Sequence, residues 1–371
     1  MPVRDQVNDM IDFEARLQAL KIRRQGPRER ATLDSGKGAI AEEAILNGVD
    51  VRKVEDFERL QEPAAIRYCI GAMKSIDPGS TQRAIDEGRL VVEGLMRAFS
   101  HRGMDVSKFV QGAFALDTHV REDSHIEVVV ALMGLEGSGR QVQDDRLLAG
   151  AREFRAGLEA LLKDSAWGSG VDCRGCFSIS VEGGNLKRQV WVTPAIFNEL
   201  PESDAVNDGT MYLYEKGCDA LLANNALRYI RLINERDRVY FGNLKRVIRL
   251  VGNLIADMEP CRRMEVSCLI EQDVASIAYR MNHKLDMFPG NIVGLIEQVR
   301  IHLQMLCDCD KSRNRVLLLD SGKQLFDCDA KVRALEVLHA EFCDLANAVH
   351  QVLSPSSGIH QPAVILNKHV G

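Results

Sequence analysis

The sequence predicts an α+β protein, with a sheet-containing core flanked by helices and then a lobe that is mainly helical. Three observations predict it. "SHIEVVV" (124–130) alternates sharply, placing Ile126, Val128 and Val130 on one side and His125 and Glu127 on the other, the period of a half-buried strand. "CFSISV" and "RQVWV" also read as strands, and the "EGGN" between them has the turn chemistry of a hairpin. Beyond about residue 219 the apolar spacing becomes helical and stays so. Strands gathered early and helices late give a two-part architecture.

The elements follow in chain order. The first sixty residues are charged and weakly periodic, and "KIRRQGPRER" (21–30) sets five basic residues around a Gly-Pro break. A solvated loop is one reading of it, and a small nucleic-acid or partner patch is the other. From "EPAAIRYCIGAMKSI" the pattern is helical, with Pro63 suited to a first turn. "DPGS" (77–80) breaks it, and a second helix follows over about 82–100, with Ile85, Val92, Leu95, Met96 and Phe99 at helical spacing. "QGAFALDTHVRED" then supplies a Gly-containing turn and a polar loop ahead of the alternating strand. Later helices are expected over about 219–235, 241–258, 270–284, 291–308 and 330–353. In "NLKRVIRLVGNLIADM", Leu244, Val247, Ile248, Val251, Leu254 and Ile255 form one apolar stripe, with Lys245, Arg249, Gly252 and Asn253 nearer the other side. "SPSSGIHQPAVILNKHVG" has turn residues and no periodicity, the pattern of a flexible tail. The expected organisation is a charged extension (1–62), a core (63–215), a helical lobe (216–353) and a tail (354–371), with the N-terminal helices able to pack across core and lobe.

Composition narrows the function classes. With 47 Lys and Arg against 53 Asp and Glu, the net charge of -6 gives nucleic acid no general attraction. No apolar run reaches the roughly 18 residues of a membrane span. "MPVRDQVNDMIDFEARLQ" is charged and lacks the apolar stretch of a secretory signal. The ten cysteines follow no secreted-scaffold spacing, so they read as reduced thiols of a cytoplasmic protein.

"SIDPGSTQRAIDEG", "FVQGAFALDTHVREDSHIEVVV", "RQVWVTPAIF", "YIRLINERDRVYFGNLKRVIRL" and "DVASIAYRM" resemble, in this order, successive blocks of the cGAS/DncV-like nucleotidyltransferases. These are bacterial enzymes that make cyclic oligonucleotide signals in antiphage defence. The resemblance covers about residues 63–285 and is carried by the order of the blocks, not by any one of them. It implies a nucleotidyltransferase core of the polymerase-beta-like kind, with a mixed sheet, packed on a helical lobe. It also implies a Gly-Ser turn, an acidic pair two residues apart on the next strand, and a third Asp on a neighbouring strand. Three carboxylates of this kind hold two magnesium ions, hard cations that want oxygen ligands, around a triphosphate and an attacking hydroxyl.

Position by position, the resemblance implies that most of this chemistry is missing here. Gly112 matches the turn glycine, but Ala113 stands where the serine belongs, losing a hydroxyl contact to a charged phosphate worth about 1.5–3 kcal/mol. His125 replaces the first acidic residue, and imidazole is a poor magnesium ligand without negative charge. Glu127 is the one carboxylate retained, and the one metal ligand that the match leaves. Trp191 stands at the third Asp, and an indole N–H donates but has no lone pair for a cation. Gly252 falls where relatives carry a phosphate-binding lysine, and Ile270, Glu271 and Gln272 fall on a Ser-Ser-Tyr that contacts donor nucleotide. Gly112, Lys245 and Arg249 are the remaining candidates for nucleotide contact, the two cations doubling as ordinary exposed helix charges. Trp191 has two readings, a plug in the old acceptor pocket or a stacking face for a base.

Other constellations carry less. "CRGC" (Cys173, Cys176) is half of a zinc or redox site, and His302, Cys307 and Cys309 lie far along the chain, so it reads as a turn. "LDSGK" at 33–37 and 319–323 lacks the earlier glycine of a phosphate loop, with Ala31 and Leu317 in its place. Gly371 ends the chain, and in part of the resembled family a C-terminal glycine is joined to other proteins by a ubiquitin-like ligation apparatus. The expected function is a catalytically silent relative that binds a nucleotide or a protein in defence signalling, needing no magnesium or manganese. The alternatives are a synthase of cyclic or linear oligonucleotides with an atypical magnesium or manganese site recruiting Asp117 or Asp123, and an interaction scaffold or conjugation substrate. Expected partners are an NTP or oligonucleotide, and an effector, paralogous synthase or ligase of a defence system.

Overall fold

A computed structural model describes residues 11–25, 54–121, 123–133, 140–197, 210–281 and 291–353. The core begins with helix α3 (Pro78–His101), whose N-cap Asp77 accepts from the Ser80 N–H and whose Pro78 needs no intrahelical donor. Strands β1 (Val106–Gln111) and β2 (Ile126–Leu132) pair antiparallel on either side of a short helix, α4 (Gly112–Leu116). Helix α5 (Arg140–Lys163) leads into β3 (Val171–Asp172), β4 (Ile179–Val181) and β5 (Val190–Phe197). β5 runs parallel to β2 and antiparallel to β4, so the sheet is mixed, in the order β1-β2-β5-β4-β3. The "EGGN" turn is present, with Gly183 and Gly184 both at positive φ.

A hairpin of β6 (Met211–Glu215) and β7 (Ala220–Asn224) extends β5. This corrects the helix expected from about residue 219, which starts only at Ala226. "ALLAN" is too short to show its period, and its pairing to β6 decides its conformation.

One face of the sheet is sealed. Ile126, Val128, Val130, Ile179, Val181, Val190 and Val192 pack against Val92, Leu95 and Phe99 of α3 and Phe154 and Leu158 of α5. The other face carries Glu127, Trp191 and Ser180 side by side across β2, β5 and β4 and turns toward the helical lobe.

The lobe contains α6 (Ala226–Val239), α7 (Asn243–Asp257), α8 (Pro260–Val266), α9 (Glu271–Tyr279), α10 (Ile292–Asp308), the single turn α11 (Asp310–Arg313) and α12 (Asp329–Leu353). It also contains α1 (Phe13–Gln25) and α2 (Ala64–Met73), whose Leu17, Leu20, Tyr68 and Cys69 share the core of α7 and α12. Residues 21–25 of the expected basic loop are therefore the last turns of a packed helix. Arg23 and Arg24 are buried because they are paired: Arg23 with Asp257 at 2.6 Å and Arg24 with Glu55 at 2.6 Å. The expected boundary at residue 63 thus falls inside the lobe, which α1 and α2 complete by packing on α7.

Because α1 and α2 cover its second side, α7 is buried on nearly all faces, Arg249 and Asn253 included. No helix among the described residues is long and apolar enough to cross a membrane. The tail and Gly371 lie outside the described residues, as do residues 26–30 of the basic segment and the first "LDSGK".

Candidate nucleotide site

Gly112, His125, Glu127 and Trp191 meet on the open face of the sheet. β1 ends at Gln111, and Gly112 turns the chain into α4 with φ of +70°, a conformation that side chains disfavour. A Cβ at Gly112 would lie 3.0 Å from Glu127 Oε1, so the carboxylate rests on the bare glycine. Gln111 Nε2 donates to Glu127 Oε2 at 3.1 Å, and His125 Nε2 lies 3.2 Å from Oε1. His125 is also stacked on Trp191, with ring centroids 3.8 Å apart and planes 19° apart. The indole Nε1 donates to Gln189 Oε1 at 2.7 Å, which fixes the ring. Ala113 follows in the first turn of α4, where its carbonyl accepts from the Thr118 N–H.

Two cavities border this cluster. One, of about 340 Å³, lies on the β3–β4 side of Trp191 and is lined by Asp172, Phe177, Ser178, Ser180, Gln189 and Trp191, with the turn residues Gly175 and Cys176. The other, of about 200 Å³, lies between the 118–120 loop and the lobe, with Thr118, Val120, Ile248, Gly252, Leu269 and Glu271 among its walls. At Gly252 a Cβ would stand 3.0 Å from Val120 Cγ1, so close approach of α7 to this loop accounts for the glycine. Glu271, at the solvent-touched start of α9, has its carboxyl pKa pushed up by the crowding around it and then by the charge of Glu127.

Arg249 is corrected as a nucleotide ligand. It is buried, and its guanidinium donates to Met73 O at 2.8 Å and Asp117 O at 2.6 Å, so it clamps the ends of α2 and α4 to α7. It is not an exposed helix charge either. Lys245 is half-buried near Asp117, whose pKa its charge helps lower against the larger raising effect of burial.

The residues do not fit a pair of magnesium ions. Glu127 has both oxygens engaged, the neighbouring positions hold imidazole and indole, and Asp117 faces Arg249 at 3.6 Å. Among the described residues no three His, Cys, Asp or Glu side chains are placed to hold a metal ion. That includes Cys173 and Cys176, whose turn is pinned by Arg155 donating to the Gly175 and Cys176 carbonyls.

No protein-family model matches the chain. A cyclic dinucleotide synthase, CdnE, from Yersinia aleksiciae is 25% identical over 271 residues, spanning 66% of this chain and 68% of that protein. The STING-associated CdnE c-di-GMP synthase from Capnocytophaga granulosa has the same architecture, with a TM-score of 0.69 and 18% identity over 92% of this chain and 99% of its own. The chain is similar in sequence and in fold to the cGAS/DncV-like nucleotidyltransferases. A further member of like fold is the Rhodothermus marinus CdnE c-UMP-AMP synthase, solved with Apcpp and Upnpp, at a TM-score of 0.56 and 17% identity over 76% of this chain and 95% of its own.

Sequence reasoning placed Glu127 and His125 on one face through their period of two. It missed Gln111 and Gln189. Gln111 reaches Glu127 only through the β1–β2 register, which pairs the two residues, and no local pattern announces that.

Proposed function

We propose that this cGAS/DncV-like nucleotidyltransferase homologue works by binding a nucleotide, without phosphodiester synthesis, within bacterial antiphage defence signalling. The observation that supports it best is the His125–Trp191 stack. Two aromatic rings lie where the resemblance implies two of three metal-binding carboxylates, and the remaining carboxylate is spent on Gln111 and His125. A triphosphate arriving with its cation meets Glu127, whose oxygens are engaged, and Glu271, whose carboxyl pKa is pushed up to about 7 by the crowding around it and by the charge of Glu127. These are too few ligands for two octahedral ions. The cavities beside the stack remain of a size to admit a nucleotide's base.

The second reading, an active synthase, is favoured by the activity that the Yersinia aleksiciae and Capnocytophaga granulosa proteins carry in their names. Incubating the protein with all four NTPs and magnesium or manganese separates the two. We expect no phosphodiester product, together with calorimetric binding of at least one nucleotide. Product that disappears in Glu127→Ala would establish the synthase, and absence of both product and binding would favour a protein-interaction scaffold.

A further inference from the structure

We infer that the cavity on the β3–β4 side of Trp191 is a nucleoside site, in which a flat base stacks on the indole and the phosphates point out to solvent. This deepens the nucleotide-binding reading and rests on it. His125 comes from the β2 side of β5 and covers one side of the indole. The cavity walls come from β3, β4 and the turn between them, on the opposite flank of β5. Trp191 therefore stands between a histidine and an open space, and its tilt is fixed from both directions, by the stack and by the 2.7 Å bond to Gln189. A platform held in this way loses little freedom when a ring settles on it. At about 340 Å³ the space is at the small end of ligand sites.

The polar lining sorts the ligand. Ser178 and Ser180 offer hydroxyls, Ser178 being tied to Thr193 Oγ1 at 2.7 Å, and Asp172 offers a carboxylate. Asp172 accepts from the Arg174 backbone and guanidinium, yet that guanidinium is 91% exposed and is not part of the lining. Of the lining side chains the one that carries charge is thus an anion. Both its oxygens already accept from Arg174, so its spare lone pairs suit the N–H groups of a base or the hydroxyls of a ribose, and the lining side chains offer a phosphate no cation.

The chain has two tryptophans, so in a Trp167→Phe background Trp191 is the sole indole reporter. Adenosine, guanosine, cytidine and uridine are titrated against its fluorescence, followed by the mono- and triphosphate of whichever quenches best. We expect saturable quenching at sub-millimolar to millimolar nucleoside, with a dissociation constant that changes less than about threefold with phosphate number. Ser180→Tyr, which fills the cavity, should abolish it. Trp191→Leu, followed by calorimetry, should weaken binding about tenfold or more and serves if the tyrosine variant does not fold. Quenching by no nucleoside, affinity climbing more than threefold with added phosphates, or binding unchanged in the variants would each overturn the inference. The two proposals fail separately. Phosphodiester product ends the non-catalytic reading while leaving an occupied cavity standing, whereas an empty cavity in a silent protein ends this inference alone.

Discussion

His125, the residue just before β2, lies flat on Trp191 of β5, 3.8 Å between ring centroids, and its Nε2 is 3.2 Å from Glu127. The stack occupies two positions at which the sequence resemblance implies metal-binding carboxylates. Replacing both rings, as His125→Asp with Trp191→Asp, trades an aromatic pair worth about 0.5–1.5 kcal/mol for two carboxylates beside Glu127. We expect the double variant to melt earlier in chelator and to gain manganese affinity and manganese-dependent stabilisation. Calorimetry and melting with and without manganese check this, and equal manganese affinity in the unaltered protein would refute it.

Gly112 sets the position of Glu127. Gly112→Ala forces a side chain to φ of +70° and brings its Cβ to 3.0–3.3 Å from the Glu127 carboxylate. The backbone penalty is about 1–2 kcal/mol, and the carboxylate must also move off Gln111 or His125. Denaturant unfolding should show a loss of that size or more. Gly103→Ala, also at positive φ but with nothing within 4 Å of its Cβ, should lose only the backbone part.

The two halves of the fold were not equally legible. The strand at Ile126–Val130 and the stripe on α7 declare their faces because a single period governs which residues are buried. Helix α1 hid itself, since Arg16, Arg23 and Arg24 read as solvent-facing charges but are buried against Glu341, Asp257 and Glu55. Those partners lie 31 to 325 residues away, and no local pattern encodes them. The site follows the same rule. The placement of His125 and Glu127 on one face was readable, while the contact of His125 with Trp191 depends on β2 and β5 becoming neighbours.

Arg249 ties α2 and α4 to α7 by hydrogen bonds at the edge of the hydrophobic core that the three helices share. Arg249→Ala strips donors from the Met73 and Asp117 carbonyls and leaves a hole against α2 and α4, a cost of about 3 kcal/mol. Arg249→Lys keeps the charge but cannot span both carbonyls, so it should recover only part of that loss. Nucleotide affinity, measured well below the melting temperature, should be unchanged in the lysine variant. A large drop in affinity with unaltered stability would restore Arg249 as a phosphate ligand.

Two buried histidines tie stability to pH. His119, stacked on Phe114, and His302, inside the lobe, both have their pKa lowered from 6.5 to about 4, chiefly by burial. For His119 the charges of Arg188 and Arg249 act in the same direction, whereas the hydrogen bond of His302 to the Ile277 backbone opposes the shift. In the folded state these rings stay neutral while the unfolded chain takes up protons below about pH 6.5. Their stability is therefore fully present above that pH and drains away as pH falls toward 4. The interval of roughly 2.5 pH units, at about 1.4 kcal/mol each, gives on the order of 3 kcal/mol per histidine. His302→Leu, close in volume and lined by Val251, Leu303 and Leu338, removes one of the two titrations. Urea unfolding at pH 7 and pH 4.5 should show a smaller loss on acidification in this variant than in the unaltered protein. An identical loss in both would mean that His302 is already protonated in the folded lobe.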